Sequence, residues 1–133
     1  ETELKIQFHP QWNLRVFSDS VRATLDDGGD LPRITPTRVG GSLDFNLNQW
    51  SANISATHAA KQDHPGKDES ETDSHNRLDA RVDYTFNNAG ADYTLFAKAT
   101  NLTNAEIRNA SSYLRDIAPE AGRSVQLGVR VKF

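Results

Sequence analysis

The chain contains no cysteine, so disulfides and thiolate metal sites are excluded, although this says little about compartment. It contains no methionine either, not even at position 1, so ETELK… is expected to open a mature or excised segment, and no signal peptide is expected within it. No apolar run approaches the ~18 residues of a membrane helix. That absence leaves membrane barrels open, because only every second residue of their strands faces lipid. Positive charge is not in excess: 15 Lys and Arg stand against 18 Asp and Glu, giving a net charge of −3. With no basic cluster interleaved with aromatics, a nucleic-acid partner is not expected. Hydrophobic residues make up 36% of the chain, below the ~45–50% usual for a packed globular domain. No Ser/His/Asp order, Gly-rich phosphate loop or isolated carboxylate pair stands out, so the chain does not read as an enzyme.

What is present is alternation. Helical periodicity is nearly absent, while apolar and polar residues exchange places at a period of two from end to end. Leu4, Ile6 and Phe8 open the pattern, and HPQW reads as a turn. A longer strand is expected from Asn13 to about Leu25, with its apolar parity switching midway through a bulge or a change of environment. Further strands are expected at Val39–Phe45, Trp50–Thr57, Leu78–Phe86, Tyr93–Leu102 and Ser124–Phe133. The connections alternate short and long: HPQW, NLNQ and NNAGAD are turns, while DDGGDLPRITP, KQDHPGKDESETDSHN and TNAEIRNASSYLRDIAPEAGR are loops. The last loop is expected to hold a short helical turn around Ser112–Asp116.

Alternating strands with long loops at one end only are the pattern of a transmembrane β-barrel. The expected fold is therefore all-β, an antiparallel transmembrane barrel segment of about seven strands. The alternative is a soluble ligand-binding β-barrel, in which Leu78, Val82, Phe86, Val129 and Val131 would face a dry core instead of lipid. Trp12, Trp50, Tyr84, Phe86, Tyr93 and Phe133 fall near strand ends, where an aromatic girdle would sit at the headgroup level. Asp79, Arg81 and Asp83 alternate onto the opposite, wet face and are expected to pair with neighbours there.

The stretches LPRITPTRVGGSLDF, LFAKATNLTNAEIRN and SSYLRDIAPEAGRSVQLGVRVKF, in that order and spacing, resemble the C-terminal part of TonB-dependent outer-membrane receptors. The resemblance runs from about Glu3 to Phe133. It implies a bacterial outer-membrane location and a barrel of about 22 strands filled by an N-terminal plug. Such a receptor takes up a scarce nutrient with energy delivered by TonB. With about seven strands, no plug and no TonB box, this chain is expected to be a C-terminal piece that transports nothing alone. Its implied partners are outer-membrane lipids, the remaining barrel and plug, the TonB complex and the barrel assembly machinery. Gln126, Gly128, Val131 and Phe133 also resemble the C-terminal signal read by that machinery.

The second long loop carries His64 and His75 with Asp63, Asp68, Glu69, Glu71 and Asp73, and imidazole with carboxylate oxygen suits zinc. Two readings remain open: a metal-capture loop, or a solvated acidic loop. The chain resembles most closely the receptor branch associated with zinc or haem uptake, in which a His- and acid-rich outer loop occurs. No cofactor is certain, and zinc is the candidate transported or loop-bound ion. A haem or siderophore receptor is the nearest alternative. His58 lies near enough to join the set, whereas His9 sits in the opposite turn. Tyr113 lies in the last loop, where it either meets a substrate or packs the loop.

Overall fold

The structure, a computed structural model, describes residues 1–133 throughout. Seven antiparallel strands form one meandering sheet in chain order: β1 (Thr2–His9), β2 (Trp12–Asp19), β3 (Arg38–Leu47), β4 (Trp50–Ala59), β5 (His75–Asn88), β6 (Ala91–Thr100) and β7 (Ser124–Lys132). β1 and β7 are edge strands that do not meet, so the sheet stays open. An open edge cannot stand in lipid, where its N–H and C=O groups would lack partners. β3, β4 and β6 are each 10 residues long, the length that crosses a bilayer when tilted.

Register converts the alternation into two faces. Leu14 lies opposite Leu43, Leu43 opposite Ile54, Ile54 opposite Ala80 and Ala80 opposite Ala99, so one face is apolar across five strands. The other carries Arg15, Ser42, Ser55, Asp79 and Lys98. Nothing packs over the apolar face: Ile54 is 46%, Val129 60% and Leu127 76% exposed. Only Ala59, Ala91, Ile107 and Ala110 are buried hydrophobics, and none lies mid-sheet. A soluble barrel needs a dry core on that face, whereas an apolar face this wide suits hydrocarbon.

The aromatics gather at the turn edge of the apolar face. Trp12 meets Phe45 and Trp50 meets Tyr84, each pair with ring centroids 4.7 Å apart. Tyr84, Phe86 and Tyr93 continue the row at 5.8 and 5.3 Å. The tight turns below them hold the strands in step. At the β5–β6 turn, Ala89 and Gly90 both take positive φ, 52° and 83°, the twist that a two-residue hairpin demands. The His9 ring accepts the Gln11 N–H at 3.2 Å, a turn-stabilising role.

The expected bounds are corrected in places. β2 stops at Asp19, so Val21, Ala23 and Leu25 lie in a loop; no bulge interrupts β2, and the parity switch beyond it reflects the change of environment as the chain leaves the sheet. The helical turn expected around Ser112–Asp116 is present as one turn displaced by about two residues, closed by an i+4 bond from Ala118 N–H to Leu114 O at 2.8 Å. β5 also begins earlier than the alternation suggested, at His75.

Candidate functional site at the loop edge

A meander with alternating connections delivers all three long loops, 20–37, 60–74 and 101–123, to one edge of the sheet. There they pack on one another. In loop 60–74, Gln62 and Thr72 exchange backbone hydrogen bonds of 2.9 and 3.2 Å and are both buried. The Gln62 side chain donates to Ile34 O at 2.6 Å, tying this loop to loop 20–37. Gly66 sits so close to Pro32 that a Cβ would lie 2.5 Å from its Cα. The two loops therefore pack mainly backbone against backbone at this point, with no space to spare.

Glu69 is the centre of a clasp. One of its oxygens accepts the backbone N–H of Arg33 at 3.1 Å and of Gly66 at 3.0 Å, and faces the Arg115 guanidinium at 3.1 Å. Burial pushes the Glu69 carboxyl up, but those three donors outweigh it and hold it below the usual glutamate range. The Arg115 side chain is 3% exposed and also donates to Ala110 O at 2.9 Å. Ser70 donates to Asp116, a second link between loops 60–74 and 101–123. Arg33 completes the arrangement by lying over the Tyr113 ring, 4.3 Å from its centroid. Tyr113 thus packs between loops through one face, while remaining 81% exposed.

Loop 101–123 is pinned at its base by two asparagines in the left-handed region, Asn101 at φ 51° and Asn104 at φ 53°. Asn101 is 2% exposed; its amide donates to Ala105 O and Ala121 O and accepts from Ala105 N–H and Thr103 Oγ1. Asn104 Oδ1 accepts the Arg123 N–H at 3.0 Å. The start and end of the loop are therefore stapled together. On β5, Arg77 joins Asp79 and reaches up to Glu120 at 3.0 Å, anchoring the loop to the polar face. The expected charge pairing on that face is present, with Arg81 bonded to Asp83 and Asp79 to Arg77.

The structure divides the metal-ligand candidates. No three His, Asp or Glu side chains converge on one point. His64 and Asp63 line a polar cleft of about 360 Å³ between loops 20–37 and 60–74. There His64 Nε2 is 3.5 Å from Asp63 Oδ1, and its Nδ1 is 3.9 Å from Asp30 Oδ2. Glu71 is tied to Lys61 at 2.6 Å, and that hydrogen bond raises the lysine. Asp68 serves a left-handed turn at φ 62°, and Asp73 is near enough to Lys61 to act on its charge. His75 lines a different pocket, of about 220 Å³, with Arg38, Arg77 and Arg108. His58 is held by Asn76 on β5 at 2.8 Å. Arg33, Arg115 and the paired asparagines lie in stretches that carry the family resemblance, but the sequence reading assigned them, and Asp30, no contacts. Only the positive φ of the asparagines has a local signature, the preference of Asn for that conformation.

Two comparisons bear on this arrangement. One solved structure, "Copper transporter OprC", superposes with a TM-score of 0.83 at 19% identity, covering 96% of this chain. The chain spans 21% of that transporter's length. The likeness is one of fold. The family described as "TonB dependent receptor-like, beta-barrel" matches residues 1–102, well over half of the sequence. Sheet, girdle, looped edge and family match agree, and the chain belongs to the TonB-dependent receptor β-barrel family.

Proposed function

We propose that this chain is the C-terminal portion of a bacterial outer-membrane receptor for TonB-dependent metal uptake, and that zinc is the metal. Its apolar face meets lipid, its polar face lines the lumen, and its loop edge faces the outside of the cell. The missing strands and plug supply closure, and TonB reaches the receptor through that plug. Gln126, Gly128, Val131 and Phe133 mark the strand that the assembly machinery reads, with Gln126 and Gly128 on the polar face and Val131 on the apolar face.

The observation that carries the metal reading is the pairing of His64 with Asp63 in the inter-loop cleft. A zinc ion takes imidazole nitrogen and carboxylate oxygen at about 2.0–2.2 Å, so donors a little over 3 Å apart suit one ion. At 3.5 Å, His64 Nε2 and Asp63 Oδ1 need only a small closure. Asp30, on the other ring nitrogen, is placed to orient the imidazole, as carboxylates do behind metal-bound histidines. The other ligands come from further loops of the receptor or from water. Glu69 and Glu71 already have cationic partners, and His75 faces another pocket, so these three contribute little to that ion.

The structural relative is a copper transporter, which makes copper the second reading. This chain carries neither Cys nor Met, the ligands that select Cu(I), and its nitrogen and oxygen donors favour zinc or Cu(II). Calorimetric titration of the intact receptor in detergent with zinc, then with copper, separates them. Zinc affinity is expected to fall at least tenfold in His64→Ala and to stay within twofold in His75→Ala. Unchanged zinc affinity in His64→Ala sinks the loop site.

A further inference from the structure

The polar face carries two phenylalanines that the alternation leaves unexplained, Phe17 on β2 and Phe96 on β6. Each lies directly opposite a glycine of the next strand: Phe17 opposite Gly40, and Phe96 opposite Gly128. A Cβ placed on Gly128 would fall 2.7 Å from Phe96 Cε1 and 3.2 Å from Cε2, and closer still to Cζ. The ring therefore lies on the Gly128 backbone. On its other flank stands the Arg81 guanidinium, 5.1 Å from the ring centroid and held by Asp83. The same trio recurs at the other end of the sheet, where Arg15 lies 5.1 Å from the Phe17 ring above Gly40.

This geometry supplies something that hydrophobic patterning cannot. Slipping a strand by one residue exchanges its faces and is forbidden by the pattern, but slipping by two keeps every apolar residue outward. On β7 the polar-face positions are Ser124, Gln126, Gly128, Arg130 and Lys132. Gly128 alone leaves space for a ring, so a two-residue slip in either direction drives Phe96 into Gln126 or Arg130. We infer that Phe96 and Gly128 form a register lock for β7, and that Gly128 is required because Phe96 occupies its side-chain space. Assigned by sequence to an assembly signal, Gly128 thereby acts inside the sheet as a seat. Gly40 is less suited to the test, because a Cβ there would also fall 2.6 Å from Ala56 O. At Gly128 the three nearest atoms are all in the Phe96 ring.

That difference defines the experiment, made on the intact receptor expressed in the outer membrane. The folded fraction is read from the heat-dependent shift of unboiled barrel on gels. Gly128→Ala is expected to lower it several-fold, and Phe96→Ala combined with Gly128→Ala to restore the level of Phe96→Ala alone. Register is read separately by disulfide cross-linking, since this chain has no cysteine of its own. Thr94→Cys with Arg130→Cys pairs facing residues and is expected to cross-link. Thr94→Cys with Lys132→Cys reports a two-residue slip, and it is expected to cross-link only when Phe96→Ala is present. Wild-type assembly of Gly128→Ala overturns the lock. So does a double variant as defective as Gly128→Ala, which would assign the glycine to recognition instead. Absence of the slipped cross-link in Phe96→Ala overturns the register claim.

Discussion

Replacing Asn101 with alanine should open loop 101–123 while leaving the sheet intact. The side chain is 2% exposed, and its amide makes bonds of 2.9 and 3.3 Å to Ala105 O and Ala121 O. It accepts others of 3.0 and 3.1 Å from Ala105 N–H and Thr103 Oγ1. At about 0.5–1.5 kcal/mol net per bond, with the long one discounted, their loss amounts to about 2–4 kcal/mol. Alanine must also hold φ near 51°, which adds about 1 kcal/mol. The penalty falls on the loop base and not on the barrel, because β6 and β7 keep their ladder. Tenfold per 1.4 kcal/mol converts about 3–5 kcal/mol into roughly two to three and a half orders of magnitude in local opening. Hydrogen exchange of peptides spanning 101–123, in the intact receptor, measures this directly. Asn101→Gly separates the two contributions, since it restores the backbone conformation and not the bonds. Wild-type exchange in Asn101→Ala would refute the staple, and full protection in Asn101→Gly would show that conformation alone holds the loop.

Three further outcomes follow from the same geometry. Arg115→Ala strands Glu69 without its buried partner and should loosen loops 60–74 and 101–123 together, by about 3 kcal/mol; limited proteolysis should then cut both loops faster. Because the folded Glu69 carboxyl is held low, its contribution is present above the ordinary glutamate pKa and disappears as pH falls through the lowered value. Loop protection should accordingly stay flat from neutral pH down to the usual glutamate range, decline progressively below it, and lose the Glu69 share once pH passes the lowered value; a decline that starts near neutral pH would contradict the clasp. Trp50→Ala removes a ring 4.7 Å from Tyr84 and should cost about 0.5–1.5 kcal/mol beyond the lost area, seen as an earlier heat-dependent gel shift.

The strands were legible because alternation is a local property with a physical cause: one face meets an apolar medium, the other water. Leu43, Ile54 and Ala80 announce their face without any knowledge of partners. The end of β2 was misread for the same reason: Val21, Ala23 and Leu25 alternate but pair with no neighbouring strand, and pairing is not local. Phe17 and Phe96 broke the pattern outright, because their partners are glycines on the next strand. The loop chemistry was least legible. Composition put His64 and Asp63 in one loop with Glu69, Glu71 and His75. It could not say that Arg115 takes Glu69, that Lys61 takes Glu71, or that Asp30 comes from another loop to stand beside His64.

The central claim is tested most directly by uptake of radiolabelled zinc into cells carrying the intact receptor, with and without functional TonB. The account requires saturable zinc accumulation that disappears without TonB and weakens in His64→Ala. Zinc uptake indifferent to the receptor, or uptake of copper alone through it, would contradict the account.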